Sequence, residues 1–206
     1  MEDLKHRILQ KANELYMKFG IRSVSMDDIA RHLGVSKKTL YQHYAEKDQL
    51  VFEVNRLHQQ NWSSKMAEII GQAADSIEEL LRFTIMLREE IATMNPGIMF
   101  DLYKFHRQAY EDWAGFKSKV IRDSVKNTLK RGIDEGFFRK DLDIEILATL
   151  RVEQVELGFD DEVFPHKSFS LEQVQLQLFD HFIYGLLTES GRKHYETRKK
   201  EYHQIN

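Results

Sequence analysis

The chain has 206 residues, 42% hydrophobic and 31% charged, a balance that suits an all-helical protein with a core large enough to shape a cavity. It has no cysteine, which excludes a disulfide framework or a thiolate metal site and fits a reducing cytoplasm. No apolar run reaches the roughly 18 residues of a membrane span, and the amphipathic start MEDLKHRILQKA lacks the form of a signal peptide, so neither insertion nor secretion is expected. The net charge of −3 conceals an asymmetry: residues 1–47 hold nine Lys or Arg and six Asp or Glu, the remainder 21 and 27.

In chain order, a first helix is expected over 3–19, with Leu4, Ile8, Ala12, Leu15 and Phe19 as its apolar stripe and Gly20 ending it. Residues 25–47, SMDDIARHLGVSKKTLYQHYAEK, then encode two short helices and a tight turn. Ser25 with Asp28 has the form of a capping box, so a helix starts near Met26. Ile29, Ala30 and Leu33 face inward, and Gly34 stands where left-handed backbone geometry ends a helix. Ser36 is the next N-cap, and a helix from 37 to about 44 sets Leu40 and Tyr44 against Val35 and Leu33. Lys37, Lys38, Tyr41 and Gln42 share the opposite face. Lysines neutralise phosphates or donate to guanine edges, glutamine pairs bidentately with adenine, and a tyrosine hydroxyl reaches a backbone oxygen. The stretch reads as a DNA-binding helix-turn-helix sized for a major groove.

Val35, Ser36, Thr39, Leu40, Tyr41, His43 and Tyr44, followed by Lys47 and Leu50, closely resemble the signature of the TetR family of bacterial transcriptional repressors. The resemblance covers about residues 5–55; beyond them only length and helical layout agree. It implies an all-α protein of about nine helices: a three-helix DNA-binding head (1–47) and a six-helix ligand-sensing and dimerisation body (48–206). Thr39 and Tyr41 match the signature directly, while Lys37, Lys38 and Gln42 occupy its variable positions and are expected to set sequence preference. Ser36 and His43 complete the major-groove set, Ser25 and Lys47 are expected to hold phosphates, and Met26 and Arg22 to add contacts from the helix start and the preceding loop.

The resemblance then implies a long helix over 48–70 carrying Leu50, Val51, Val54, Leu57 and Trp62. Asp75 with Glu78 opens a helix that Asn95, Pro96 and Gly97 end, and two helices follow over 98–110 and 115–135. Asp143 caps a helix over 144–159, and Ser170 with Gln173 caps one over 171–188. The charged tail RKHYETRKKEY is expected to fray. The last two capped helices each carry two apolar stripes. Leu171, Val174, Leu178 and Phe182 lie about 120° on a helical wheel from Leu176, Phe179, Ile183 and Leu187. Ile144, Ala148, Val152 and Val155 likewise oppose Ile146, Leu150 and Leu157. One stripe of each helix is expected to pack on its copy in a second subunit, and the first-named stripe of each pair is taken as the dimer interface. Such a homodimer needs a palindromic operator on double-stranded DNA.

Between these elements lie bulky, adaptable side chains: Phe83, Met86, Leu87, Met94, Met99, Phe100, Trp113 and Phe116, with Glu90, Tyr103, His106 and Tyr110 as polar neighbours. Core packing accounts for any one of them, and only the resemblance makes them a pocket for a small apolar or amphipathic effector. It also places the regulator in a bacterial cytoplasm, on the nucleoid when bound to DNA. The nine histidines form no ligand set at a metal spacing, no nucleotide or nucleophile motif occurs, and adjacent acids such as Glu78 and Glu79 read as solvated surface, so neither metal, cofactor nor enzyme is expected. Two alternatives remain: an architectural DNA binder that recruits a protein without a ligand, and a ligand-binding dimer whose head no longer reads sequence.

Overall fold

A computed structural model describes residues 2–205, with side chains placed for 4–202. A loop joins α1 (Glu2–Phe19) to α2 (Met26–Leu33), and a tight turn leads on to α3 (Lys37–His43). The long α4 (Lys47–Gln72) is followed by α5 (Ser76–Ala92), α6 (Ile98–Phe105) and α7 (Arg107–Phe116). A π-helical turn, Lys117–Ile121, joins α7 to α8 (Arg122–Asp134). Then come α9 (Ile144–Leu157), α10 (Leu171–Leu186) and α11 (Glu189–Ile205). The fold is all-α, and among the described residues extended pairing is limited to an isolated antiparallel bridge between Phe138 and Leu187.

The helices pack as two compact units, one formed by residues up to Ser64 with Thr93–Phe116, the other by Lys65–Ala92 with Lys117 onward. The expected boundary at 47/48 is thus not where the packing divides, because residues 48–64 and 93–116 share the core of the head. That core joins Ile8, Ala12, Leu15 and Tyr16 of α1 to Ile29 of α2, Leu40 of α3 and Leu50, Val51 and Val54 of α4. Ile98 and Leu102 of α6 and Ala109 of α7 complete it. Buried polar groups fix these elements. The Arg22 N–H donates to the Asp101 carboxylate at 2.8 Å, and Asn55 Nδ2 donates to the Ala109 carbonyl at 3.1 Å.

Three expectations fail in this unit. Phe19 is 47% exposed beneath the Lys18 ammonium, and Ile21 and Val24 of the following loop enter the core in its place. The helix expected over 98–110 breaks at His106, whose backbone (φ −132, ψ 61) leaves helical geometry while its Nδ1 meets the Asp48 carboxylate of α4 at 2.8 Å. Gly115, expected to open a helix, lies within α7 instead.

In the second unit, Ile77, Leu80 and Leu81 of α5 pack with Leu129 of α8, Ala148 of α9 and Phe179, Phe182, Ile183 and Leu186 of α10. Gly132 is required here, since a Cβ on it would lie 2.1 Å from the Phe138 ring. The tail is no frayed end: as α11 it buries Tyr195 to 1% exposure. Glu78 and Glu79, read as solvated, are buried at 6% and 2%. Arg131 and the Thr128 hydroxyl engage Glu79, and Glu78 accepts from Arg82 (2.8 Å), Arg198 (3.0 Å) and Tyr202 (2.8 Å). Long-range packing of α5 against α8 and α11 creates these partners, so local sequence could not announce them. The chain therefore has more helical segments than the nine expected.

Burial alone would raise the Glu78 carboxyl, but hydrogen bonds from Arg82, Tyr202 and the Ala74 N–H, with the Arg82 charge, outweigh it and hold the group down to about 2. A carboxyl held below its ordinary value of 4.5 stabilises the fold above that pH, and the contribution is lost as pH falls toward about 2. Thermal unfolding across this acid window should show a falling Tm that Glu78→Gln makes shallower. An equal slope in both proteins would place the acid sensitivity elsewhere.

Candidate nucleic-acid interface

The two-helix reader is built from its caps. Ser25 Oγ accepts from the Asp28 N–H at 3.2 Å, and the Asp28 carboxylate accepts from the Ser25 N–H at 3.0 Å, closing the capping box of α2. Gly34 ends that helix in left-handed geometry at φ 68, where a residue with a Cβ is strained. The Val35 N–H reaches back to the Ala30 carbonyl at 3.0 Å, and Ser36 Oγ accepts from the Thr39 N–H at 3.1 Å to start α3. An N-cap of this kind contributes about 1 kcal/mol. Leu40 (0% exposed) and Tyr44 (1%) anchor α3, so its other side must face water.

On that side Lys37, Lys38, Tyr41 and Gln42 are all exposed, as expected, while Thr39 and His43 are half-buried. Lys38 makes no ion pair among the described residues. Lys37 does: its ammonium pairs with the Asp27 carboxylate across the turn, and Arg31 pairs with Asp28. Hydrogen bonds from Ser25, then the Arg31 charge, hold the exposed Asp28 carboxyl below its ordinary value. The acids Asp27 and Asp28 are the part of this surface that reading α3 alone missed; their capping spacing was visible, but the Asp27–Lys37 pair depends on the turn angle.

The remaining contacts expected here are placed differently. Met26 is 5% exposed and belongs to the core, because it opens α2 on the side that faces α1 and α4, so its side chain offers DNA nothing. The Ser25 hydroxyl is engaged with Asp28 at both donor and acceptor, and Ser36 Oγ shares a hydrogen bond with Thr39 Oγ1 at 2.8 Å. Lys47 Nζ donates to the Ile21 carbonyl at 2.6 Å, and burial, opposed by Asp101, Asp48 and Asp28, lowers its pKa. These three side chains hold the reader's shape. Arg22 lies over the Phe105 ring, 5.3 Å from its centroid.

The residues expected to line an effector pocket fall in both units. Met94, Met99 and Tyr110 pack on the first core, His106 is tied to Asp48, and Trp62, Trp113 and Phe116 cluster with centroids 5.9 Å apart. Phe83 and Leu87 pack on the second core, Met86 is buried, and Glu90 pairs with Lys65 at 2.5 Å. Phe100 and Tyr103 are 55% and 66% exposed, because α6 turns Ile98 and Leu102 to the core and these two outward, so they line no enclosed cavity.

The expected dimer stripes need correction too. Ala148, Val152, Leu171, Val174 and Phe182 are buried within this chain, and Ile144, Val155 and Leu178 are half-buried. The stripe left in water is the other one on α9: Ile146 (64% exposed), Leu150 (47%) and Leu157 (40%). Among the described residues no group of three His, Asp or Glu side chains is placed to hold a metal, and no helix is long and apolar enough to cross a membrane.

Residues 8–54 match the family model described as bacterial regulatory proteins, tetR family. The transcriptional repressor KstR2 of Mycobacterium tuberculosis is 25% identical over 143 residues, 68% of this chain and 72% of that protein. KstR2 of Mycolicibacterium smegmatis is 24% identical over 195 residues, 92% and 94% of the two chains. In fold, the chain is similar to a TetR-family transcriptional regulator from Agrobacterium tumefaciens, with a TM-score of 0.74 at 18% identity, covering 91% of this chain and 99% of the other.

Because Asp27 holds Lys37, removing its carboxylate should release a cation to phosphate. Asp27→Asn is expected to tighten binding to duplex DNA about two- to fivefold, the scale of an exposed ion pair, and to steepen the salt dependence by up to about 0.9 in log–log slope. Anisotropy titrations over a range of salt would check this, and an unchanged slope would take Lys37 off the phosphate path.

Proposed function

Because this chain belongs to the tetR family of bacterial regulatory proteins, we propose that it is a homodimer that reads a palindromic operator and releases it when a small apolar or amphipathic effector binds. DNA-binding transcriptional regulation comes with membership, and its relatives are regulators, not enzymes. The observation that carries the finer reading is α3, a capped helix whose outward face offers Lys37, Lys38, Tyr41 and Gln42 together. Lys38 and Gln42 are the base readers, Lys37 and Tyr41 hold the backbone, and the cytoplasm is where such a protein meets its DNA.

The dimer reading draws on Ile146, Leu150 and Leu157, which share one face of α9 and leave it apolar in water. A two-fold axis would cover each stripe with its own copy and set two α3 helices to half-sites about 34 Å, or a multiple of it, apart. The sensing step is thermodynamic. An effector relieves binding only if it prefers the arrangement that cannot hold DNA, and DNA must then weaken effector binding by the same factor.

Two experiments test this reading. Lys38→Ala should change the preferred base at one position of the bound site by about 1–3 kcal/mol, whereas Tyr41→Phe should weaken all sequences alike; uniform loss in both would end that division of labour. Ile146→Asp combined with Leu150→Asp should give a monomer by light scattering and reduce affinity for a two-half-site duplex by at least about 100-fold through lost bivalency. A double variant that stays dimeric would place the interface elsewhere.

A further inference from the structure

We infer that Arg151 anchors the acidic head of a small amphipathic molecule, an apolar body ending in a carboxylate, within the second unit. This names the chemical class of the effector proposed above and rests on that reading. Arg151 projects from the inward side of α9, between Ala148 and Val152, and is 7% exposed. Its surroundings are rings: the guanidinium carbon lies 4.5 Å from the Phe179 centroid and 6.0 Å from that of Phe182. Its Nη1 is buried with no hydrogen-bond partner.

Buried charges are ordinarily paired, and this one has no counter-charge among the described residues. The acids of α9 and α10 each pair with another cation, Glu156 through one oxygen only, its Oε1 being buried without a donor. On α9, Glu153 and Glu156 hold Lys117 of the π turn at 3.3 and 2.8 Å, and Glu145 holds Lys126 at 2.7 Å. On α10, Asp180 accepts from Lys199 at 2.7 Å and Tyr195 at 3.2 Å. Burial, with no charge opposing it, pushes the guanidinium down to about 10, which still leaves it protonated at neutral pH.

Ring faces satisfy the plane of a guanidinium but not its N–H edge, a fork whose geometry fits a carboxylate. Two buried amide oxygens, one on α9 and one on α10, also lack donors. They are Gln154 Oε1, three residues along the same side of α9, and Gln175 Oε1, whose amide nitrogen is committed to the Val155 carbonyl at 2.7 Å. Arg151 is 7% exposed and lies about 100° or more round α9 from the exposed Ile146, Leu150 and Leu157, so a small molecule suits it better than a macromolecule or a second subunit's side chain. Phe179, Phe182, Val152 and Ile183 suit an apolar body better than a hydrated inorganic ion.

The test titrates the full-length protein by calorimetry with acetate, octanoate, decanoate, decanol and chloride, and follows operator release in the same samples. Decanoate should bind at least about tenfold more tightly than acetate, chloride or decanol, and Arg151→Met should remove that advantage, with Arg151→Lys retaining part of it. Arg151→Met should also melt at or above the wild-type temperature, since it replaces an unpaired buried charge by an apolar side chain of similar length. The inference is overturned if none of these carboxylates binds the wild type, if chloride competes as well as decanoate, or if Arg151→Met leaves decanoate affinity unchanged. It is overturned too if Arg151→Met melts well below wild type while Arg151→Lys binds no decanoate, which would make Arg151 a piece of the core. Decanoate that binds through Arg151 without releasing DNA upholds the site and removes the effector reading. A neutral effector that releases DNA equally from wild type and Arg151→Met upholds the effector reading and overturns the site.

Discussion

A helix of seven residues cannot hold itself in water, since isolated helices below about 12–15 residues are marginal, and α3 has seven. Its existence and its angle come from outside: the Ser36 cap at its start, the left-handed Gly34 that shortens the turn before it, and the anchors Leu40 and Tyr44 beneath it. Once those are in place the direction of Lys37, Lys38, Tyr41 and Gln42 follows without further adjustment. The rest of the first unit extends this support. Asp101 takes the Arg22 N–H, Lys47 takes the Ile21 carbonyl, and His106 meets Asp48, so the loop before α2 and the start of α4 are both tied down. Side chains that look like phosphate ligands in a linear reading turn out to build the platform.

Charge is met in two ways in this chain. In the first unit, cations face acids across short gaps at the surface, as Lys37 does Asp27 and Arg31 does Asp28, so DNA must compete for part of the positive face. Such an arrangement favours selectivity over indiscriminate attraction, because phosphate has to displace an existing partner. In the second unit Glu79 shows what a completed buried charge looks like, with Thr128 and Arg131 supplying donors. Arg151, also buried, has rings beside it and an Nη1 without a partner. That contrast within one helical layer is what separates a structural ion from one waiting for a counter-charge.

What could be read in the sequence was what depends on near neighbours. The capping box of Ser25 and Asp28, the N-caps Ser36, Asp143 and Ser170, the left-handed Gly34 and the exposed face of α3 all rest on residues within four positions, and each appears in the structure where its spacing placed it. What could not be read depends on partners far along the chain. The break at His106 answers an acid 58 positions away, the burial of Glu78 answers α11, and Met26 is taken by a core that only assembled helices define. The same limit governed α9 and α10, whose two apolar stripes are equivalent until packing shows which is covered; packing leaves Ile146, Leu150 and Leu157 free.

The central claim is that a symmetric pair of α3 helices reads sequence. Selection of bound duplexes from a random pool at near-physiological salt tests it most directly. The account predicts recovery of an inverted repeat with half-sites about one helical turn, or a multiple of it, apart. A pool that stays featureless, with affinity that collapses steeply as salt rises, would contradict it and leave the head as a nonspecific clamp on phosphate.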